Sequence, residues 1–175
     1  SIPIIIIGFI LVKFNLIEQL RSLKIIGWTT IIFGILLYIS DKSKTSKNIK
    51  SNFDYKSAFF IGLFQVLSLI PGVSRAGISI TAGRFLNFKR LDSAKISFLL
   101  SIPTLAAVSF FGLINLMKSD NLEFSLLNVF SIIFSFIFSL ITIVYFLKFI
   151  KKFNLNIFVI YRIILGLLIL YFAYL

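Results

Sequence analysis

Long apolar runs broken by short polar gaps organise this chain. The runs are Ile2–Val12, Ile25–Ile39, Ala58–Ile70, Gly77–Leu86, Ile96–Met117, Phe124–Leu147 and Ile157–Leu175. A helix needs about 20 apolar residues to cross a bilayer. Ile96–Met117, Phe124–Leu147 and Ile157–Leu175 meet that length. Ile25–Ile39 carries Trp28 and Tyr38 near its ends, where amphipathic rings anchor a span at the interface. Ile2–Val12 is too short alone and reads as part of a longer helix. Ala58–Ile70 and Gly77–Leu86 are also too short to cross, and Pro71-Gly72 interrupts the chain between them. No strand-like alternation occurs, so the predicted fold class is an all-α integral membrane protein, a single membrane domain over 1–175.

Charge sorts these runs into a topology. Cytoplasmic loops of membrane proteins carry an excess of Lys and Arg. The polar stretch 40–56 holds Lys42, Lys44, Lys47, Lys50 and Lys56; Arg84, Lys89, Arg90 and Lys95 cluster at and beyond the end of the Gly77–Leu86 run, and Lys148, Lys151 and Lys152 follow the Phe124–Leu147 run. The other gaps hold Lys13, Arg21 and Lys24, and Lys118 beside Asp120 and Glu123. Placing the three rich clusters in the cytoplasm sets twelve positive residues against four. On that assignment 40–56 is a solvated cytoplasmic linker. The segment 57–86 then begins and ends on one side and must dive in, turn at Pro71-Gly72 and return. The alternative is a single Pro-kinked span through 57–86, which leaves basic clusters on both sides.

Composition narrows the class. The chain has 175 residues, 59% hydrophobic, 17% aromatic and only 14% charged, with mean hydropathy +1.05. Soluble domains are about a quarter charged, and disordered chains lack this aromatic content. The net charge of +12 arises in gaps between apolar runs, which is membrane topology rather than a nucleic-acid face. There is no Cys and no His, which excludes disulfides, thiol nucleophiles and imidazole bases. The chain opens Ser1-Ile2-Pro3 directly into an apolar run and is expected to be the C-terminal piece of a longer protein.

The break at 69–81 is where chemistry concentrates. Pro71 stops the preceding helix and Gly72 takes conformations closed to other residues. A helix resuming near Gly77 would aim its positive end back at the turn, a ready anion site. Arg75 adds a permanent cation whose planar fork suits phosphate oxygens, and intramembrane charges mark functional sites. No carboxylate lies in any apolar run to pair with it. Ser74 stands beside it; Ser68, Ser79 and Thr81 are weaker candidates, since such hydroxyls often bond back to helix carbonyls.

The residues Gln65–Leu69, then Pro71-Gly72-Val73-Ser74-Arg75-Ala76-Gly77, then Ile96-Ser97-Phe98-Leu99-Leu100-Ser101-Ile102-Pro103 resemble the undecaprenyl-diphosphatases of the bacitracin-resistance type. That family carries a P-G-x-S-R-S-G turn followed by an F-S-F-L-L-S-I-P helix, and Phe158–Gly166 looks like its last span. The resemblance covers essentially the whole chain. It implies a multi-pass enzyme of the bacterial inner membrane, built of inverted repeats with re-entrant hairpins, its site facing the periplasm. Its substrate would be the polyprenyl diphosphate carrier of peptidoglycan synthesis, stripped of one phosphate. By match, Arg75 and Ser74 take catalytic positions, and Pro71, Gly72, Val73, Gly77, Ser79, Thr81 and Gln65 substrate-binding ones. Ala76 departs from the family's second turn Ser.

A second family motif, rich in Glu and ending in His, has no counterpart here. It would supply acid/base groups and hold a divalent metal, Mg2+ or Ca2+, so this piece alone is expected to be inactive. Transport of a lipid phosphate or small anion is the rival reading, because transporters also aim broken half-helices at anions. Pairing with a second copy of the chain stays open.

Overall fold

A computed structural model describes residues 1–14, 21–117 and 126–175; Glu18, Lys118, Asp120 and Glu123, assigned above to inter-helix gaps, lie outside the described residues. The elements are α1 (Ile2–Lys13), α2 (Leu23–Asp41), a helical turn at Ile49–Asn52, α3 (Tyr55–Val66) continued by a 3-10 turn at Leu67–Leu69, α4 (Arg75–Phe85), α5 (Arg90–Met117), α6 (Leu126–Lys152) and α7 (Asn156–Tyr174). Among the described residues the only β feature is a bridge between Lys47 and Phe88. Helices α2, α5, α6 and α7 are long and apolar enough to cross a membrane. The chain is an all-α, multi-pass membrane protein.

Helix α2 packs along α7 more intimately than any other pair. Small residues allow the approach: a methyl group at Gly27 would meet Leu170 Cγ at 2.6 Å and the Gly166 carbonyl at 3.3 Å, and one at Gly166 would meet the Gly27 carbonyl at 3.1 Å. Helices in lipid associate through such close backbone packing, with no hydrophobic drive between them. By contrast, α6 turns Phe130, Phe134, Phe136 and Phe138 outward, as a lipid-facing helix does.

The α3–α4 segment returns to its starting point. Before it, the Ser46 and Lys47 amides donate to the Asn87 carbonyl (3.1 and 3.0 Å); after it, the Lys89 amide donates to the Lys47 carbonyl at 3.2 Å. Asn87, with φ 68°, ends α4 in the left-handed conformation that Asn tolerates. Each arm is 12 or 11 residues long, or about 16–18 Å, too short to cross. The arms pack on each other through Ile61 and Ala82, in a cluster with Phe88 and Ile96. Ile80 fixes the other side of α4 against Leu37, Ala94, Ile150, Leu155 and Val159.

A buried ionic knot holds the base of this hairpin. Asp41, 6% exposed, accepts from Arg90 Nε at 2.6 Å and from the Leu155 amide at 3.2 Å. Arg84, 2% exposed, lies 3.6 Å from the same carboxylate. Its Nη atoms donate to the carbonyls of Phe88 (2.7 Å), Asp41 (2.8 Å) and Ser43 (2.7 Å). The sequence pattern assigned 40–56 to solvent and Arg84 to a topological cluster. Both assignments need correcting at this end: the linker starts buried, and Arg84 is an internal strut. Removing one partner of a buried pair leaves an uncompensated charge, at a cost of about 3–5 kcal/mol. Asp41→Asn is therefore expected to lower the thermal unfolding midpoint of the detergent-solubilised protein sharply, while Lys44→Gln on the exposed part of the same loop leaves it unchanged.

Candidate functional site

The two arms meet at residues 70–74, and this turn is pressed against α2. Gly72 has φ +88°, a conformation costly for any residue with a Cβ. A methyl group there would also collide with Thr29 Oγ1 and come within 2.6 Å of the Ile26 carbonyl oxygen. Glycine is required twice over, by backbone and by space. The carbonyls at the tip of the turn are spoken for: Thr29 Oγ1 donates to Pro71 at 2.6 Å, Thr30 Oγ1 to Gly72 at 3.4 Å, and Arg162 Nη2 to Gly72 at 2.8 Å. The Val73 amide donates to the Ile70 carbonyl at 3.1 Å.

Depth follows from the α2 contacts. Thr30 lies eleven residues from Asp41 at the knotted base, about 17 Å along the helix at 1.5 Å per residue. It lies about 10 Å from the Leu23 end by the same rise. The turn therefore sits inside the length of a spanning helix, nearer the end away from the basic base.

Helix α4 starts at Arg75, two residues before the start at Gly77 expected above. Ser74 is its N-cap, and Ser74 Oγ accepts from the Gly77 amide at 3.1 Å. Arg75 is thus the first helical residue rather than part of the turn. The amides of Arg75 and Ala76 take no hydrogen bond among the described residues, as expected for a helix start without further caps. The turn separates two cavities. One, of about 530 Å³, is lined by Gly72, Val73, Ser74, Gly77 and Arg162 together with apolar side chains. The other, of about 460 Å³, is lined by Arg75, Thr104 and apolar residues of α1 and α5.

The remaining candidates fall away from both cavities. Thr81 Oγ1 donates to the Gly77 carbonyl at 2.9 Å. Ser79 is buried, its Oγ without a partner among the described residues, and Gln65 Oε1 is in the same condition. Gln65 Nε2 donates to Thr104 Oγ1 at 3.4 Å, touching the wall of the Arg75 cavity from behind. Ser74 and Arg75, adjacent in sequence, face different cavities.

The family model described as bacitracin resistance protein BacA matches residues 1–168. The chain belongs to this family. The undecaprenyl-diphosphatase of Pelagibacter ubique (strain HTCC1062) is 51% identical over 175 residues, covering 99% of this chain and 68% of that protein. The undecaprenyl-diphosphatases of Roseobacter denitrificans and Alteromonas mediterranea are 36% and 38% identical over 174 residues, each covering 99% of this chain and 65% of the relative. The BacA-family chain thus spans about two thirds of the length of these relatives.

Sequence reasoning overlooked Arg162, although a signal was present. With sixteen positive residues assigned to gaps and basic clusters, Arg75 remained in the break between two short runs and Arg162 inside the last apolar run. Arg162 lies nearly two turns into α7 and is 7% exposed. As for the implied metal, no group of three or more His, Cys, Asp or Glu converges among the described residues. Asp41 is committed to the knot, Asp54 caps α3 through the Ser57 amide, and Asp92 accepts from the Ile49 amide. These donors do not form a site for Mg2+ or Ca2+.

Substituting Gly72 should disable the turn. Gly72→Ala is expected to cost about 2–5 kcal/mol, combining left-handed strain with overpacking. A thermal unfolding curve of the variant in detergent, set against Gly112→Ala at an open position, measures it.

Proposed function

We propose that this chain forms the diphosphate-holding part of an undecaprenyl-diphosphatase, which hydrolyses undecaprenyl diphosphate to undecaprenyl phosphate and inorganic phosphate. The observation that carries this reading is the broken hairpin: a helix start with open amides and a permanent cation, Arg75, held within the length of a spanning helix. Membership of the family and the name its relatives bear support a hydrolase over a carrier.

In this reading the Arg75 guanidinium forks onto phosphate oxygens and the Arg75 and Ala76 amides donate to the same group. Ser74 Oγ, which faces the neighbouring cavity, accepts from the Gly77 amide and so holds the first turn of α4, with its open amides, in place. Water attacks the terminal phosphorus, the bridging P–O bond breaks, and the charge passing to the leaving lipid phosphate is met by fixed donors. Phosphoryl transfer relies mainly on such positioning and electrostatics. The Mg2+ or Ca2+ implied by resemblance finds no ligand set among the described residues; the resemblance assigns its ligands to the Glu-rich motif that has no counterpart here.

We place the protein in the inner membrane, with the basic base of the hairpin in the cytoplasm under the positive-inside rule. The turn, lying nearer the opposite end of α2, then opens toward the periplasm and meets a lipid substrate from that leaflet. Phosphate release from undecaprenyl diphosphate by the purified full-length protein tests the reading. Arg75→Ala should lower kcat/KM by about 100-fold or more, the usual effect of losing a transition-state donor, with Arg75→Lys recovering part. Normal release by Arg75→Ala removes the assignment.

A further inference from the structure

We propose that the elbow between α6 and α7 binds an anionic phospholipid, whose head meets three lysines and whose chains lie along an aromatic wall. Lys148, Lys151 and Lys152 are exposed near the end of α6, at spacings of three and four residues that place them on one face. Among the described residues none of them forms an ion pair. The described carboxylates are engaged elsewhere: Asp41 in the knot, Asp54 on the Ser57 amide and Asp92 on the Ile49 amide. A helix C-terminus favours cations, which accounts for positive charge here but not for the cavity that opens beside it.

That cavity, of about 750 Å³, is lined by the three lysines together with Tyr145, Phe149, Phe153 and Ile157. None of its charged residues lines either cavity at the Gly72 turn. Its wall is a run of rings: Phe149 stacks on Phe153 with centroids 4.8 Å apart and meets Phe158 edge-on at 5.9 Å. Tyr145 and Phe153 nevertheless remain 68% and 53% exposed. The elbow thus presents bare hydrocarbon and unpaired cations side by side. A soluble anion would use only the cations, and a neutral lipid only the rings; an anionic phospholipid uses both. Toward the middle of α6, Phe134 and Phe138 face outward, so acyl chains beside them reach the elbow without leaving lipid. At the elbow itself the Leu155 amide donates to Asp41 at 3.2 Å, which fixes this corner at the level of the hairpin base. Basic pockets between helices at the cytoplasmic interface are suited to anionic lipid heads.

The site is independent of the hydrolase reading and is tested by binding. The purified full-length protein in nonionic detergent is titrated with dioleoyl phosphatidylglycerol and, in parallel, with dioleoyl phosphatidylcholine, which has the same chains and a neutral head. The thermal unfolding midpoint is followed, because a ligand that prefers the folded state raises it. Phosphatidylglycerol should raise the midpoint by several degrees and phosphatidylcholine by much less. Each basic residue near anionic lipid is worth about fivefold in affinity. The triple variant Lys148→Gln, Lys151→Gln, Lys152→Gln should therefore raise the half-saturating concentration at least about tenfold. Removing the same charge from the hairpin loop, as Lys44→Gln, Lys50→Gln, Lys56→Gln, should leave it within about twofold, because distant exposed charges are screened. Arginine at all three elbow positions keeps the charge and should keep the response. Equal responses to the two lipids, equal losses in the two glutamine variants, or a response to glycerol phosphate matching that to phosphatidylglycerol overturns the proposal.

Discussion

A chain that reverses direction in apolar surroundings must satisfy every peptide group without water, and the Gly72 turn meets that constraint by borrowing from two other helices. Thr29 and Thr30 of α2 and Arg162 of α7 close the carbonyls of Pro71 and Gly72. Such donors reach the turn only because α2 and α7 lie nearly backbone to backbone at Gly27 and Gly166. They reach it also because residue 72 has no side chain. Non-helical backbone at membrane depth survives only under such cover. With the Pro71 and Gly72 carbonyls closed, what the turn leaves open is the amide end of α4.

Charge is handled differently at the two ends of the hairpin. At the base, Arg84 and Arg90 converge on the carboxylate of Asp41, and their role is to tie α2, α4, α5 and α7 into one register. At the turn, Arg75 and Arg162 have no carboxylate among the described residues. Paired buried charge fixes structure, whereas unpaired charge in a low dielectric is an unfilled demand for an anion. Two clusters of arginine, chemically alike, thus differ in whether a carboxylate meets them.

Much of this was legible in the sequence. Apolar runs marked all four spanning helices, though Ile25–Ile39 fell short of a span and the helix at Arg90–Met117 starts well before its run, and Pro71-Gly72 between two short runs announced the break. Arg75 stood out because no gap could claim it. Other features needed three dimensions. Asp41 and Arg84 read as loop charges because nothing in one dimension shows two polar ends folding onto each other across 43 residues. The requirement for glycine at position 72 was expected from turn geometry, but the crowding by Thr29 was not. Thr81 looked like a site hydroxyl and instead bonds back to its own helix, the common fate of helical Thr. Arg162 was hidden by its neighbours, since Ile160, Tyr161 and Ile163 make its surroundings read as an ordinary span.

The account stands on one claim, that the start of α4 is where phosphate binds. A structure of the full-length protein with a non-hydrolysable polyprenyl methylenediphosphonate bound measures this directly. Phosphonate density within hydrogen-bonding distance of Arg75 and the first amides of α4 is the predicted result. Density confined elsewhere, with the turn at 70–74 and both its cavities empty, would contradict it.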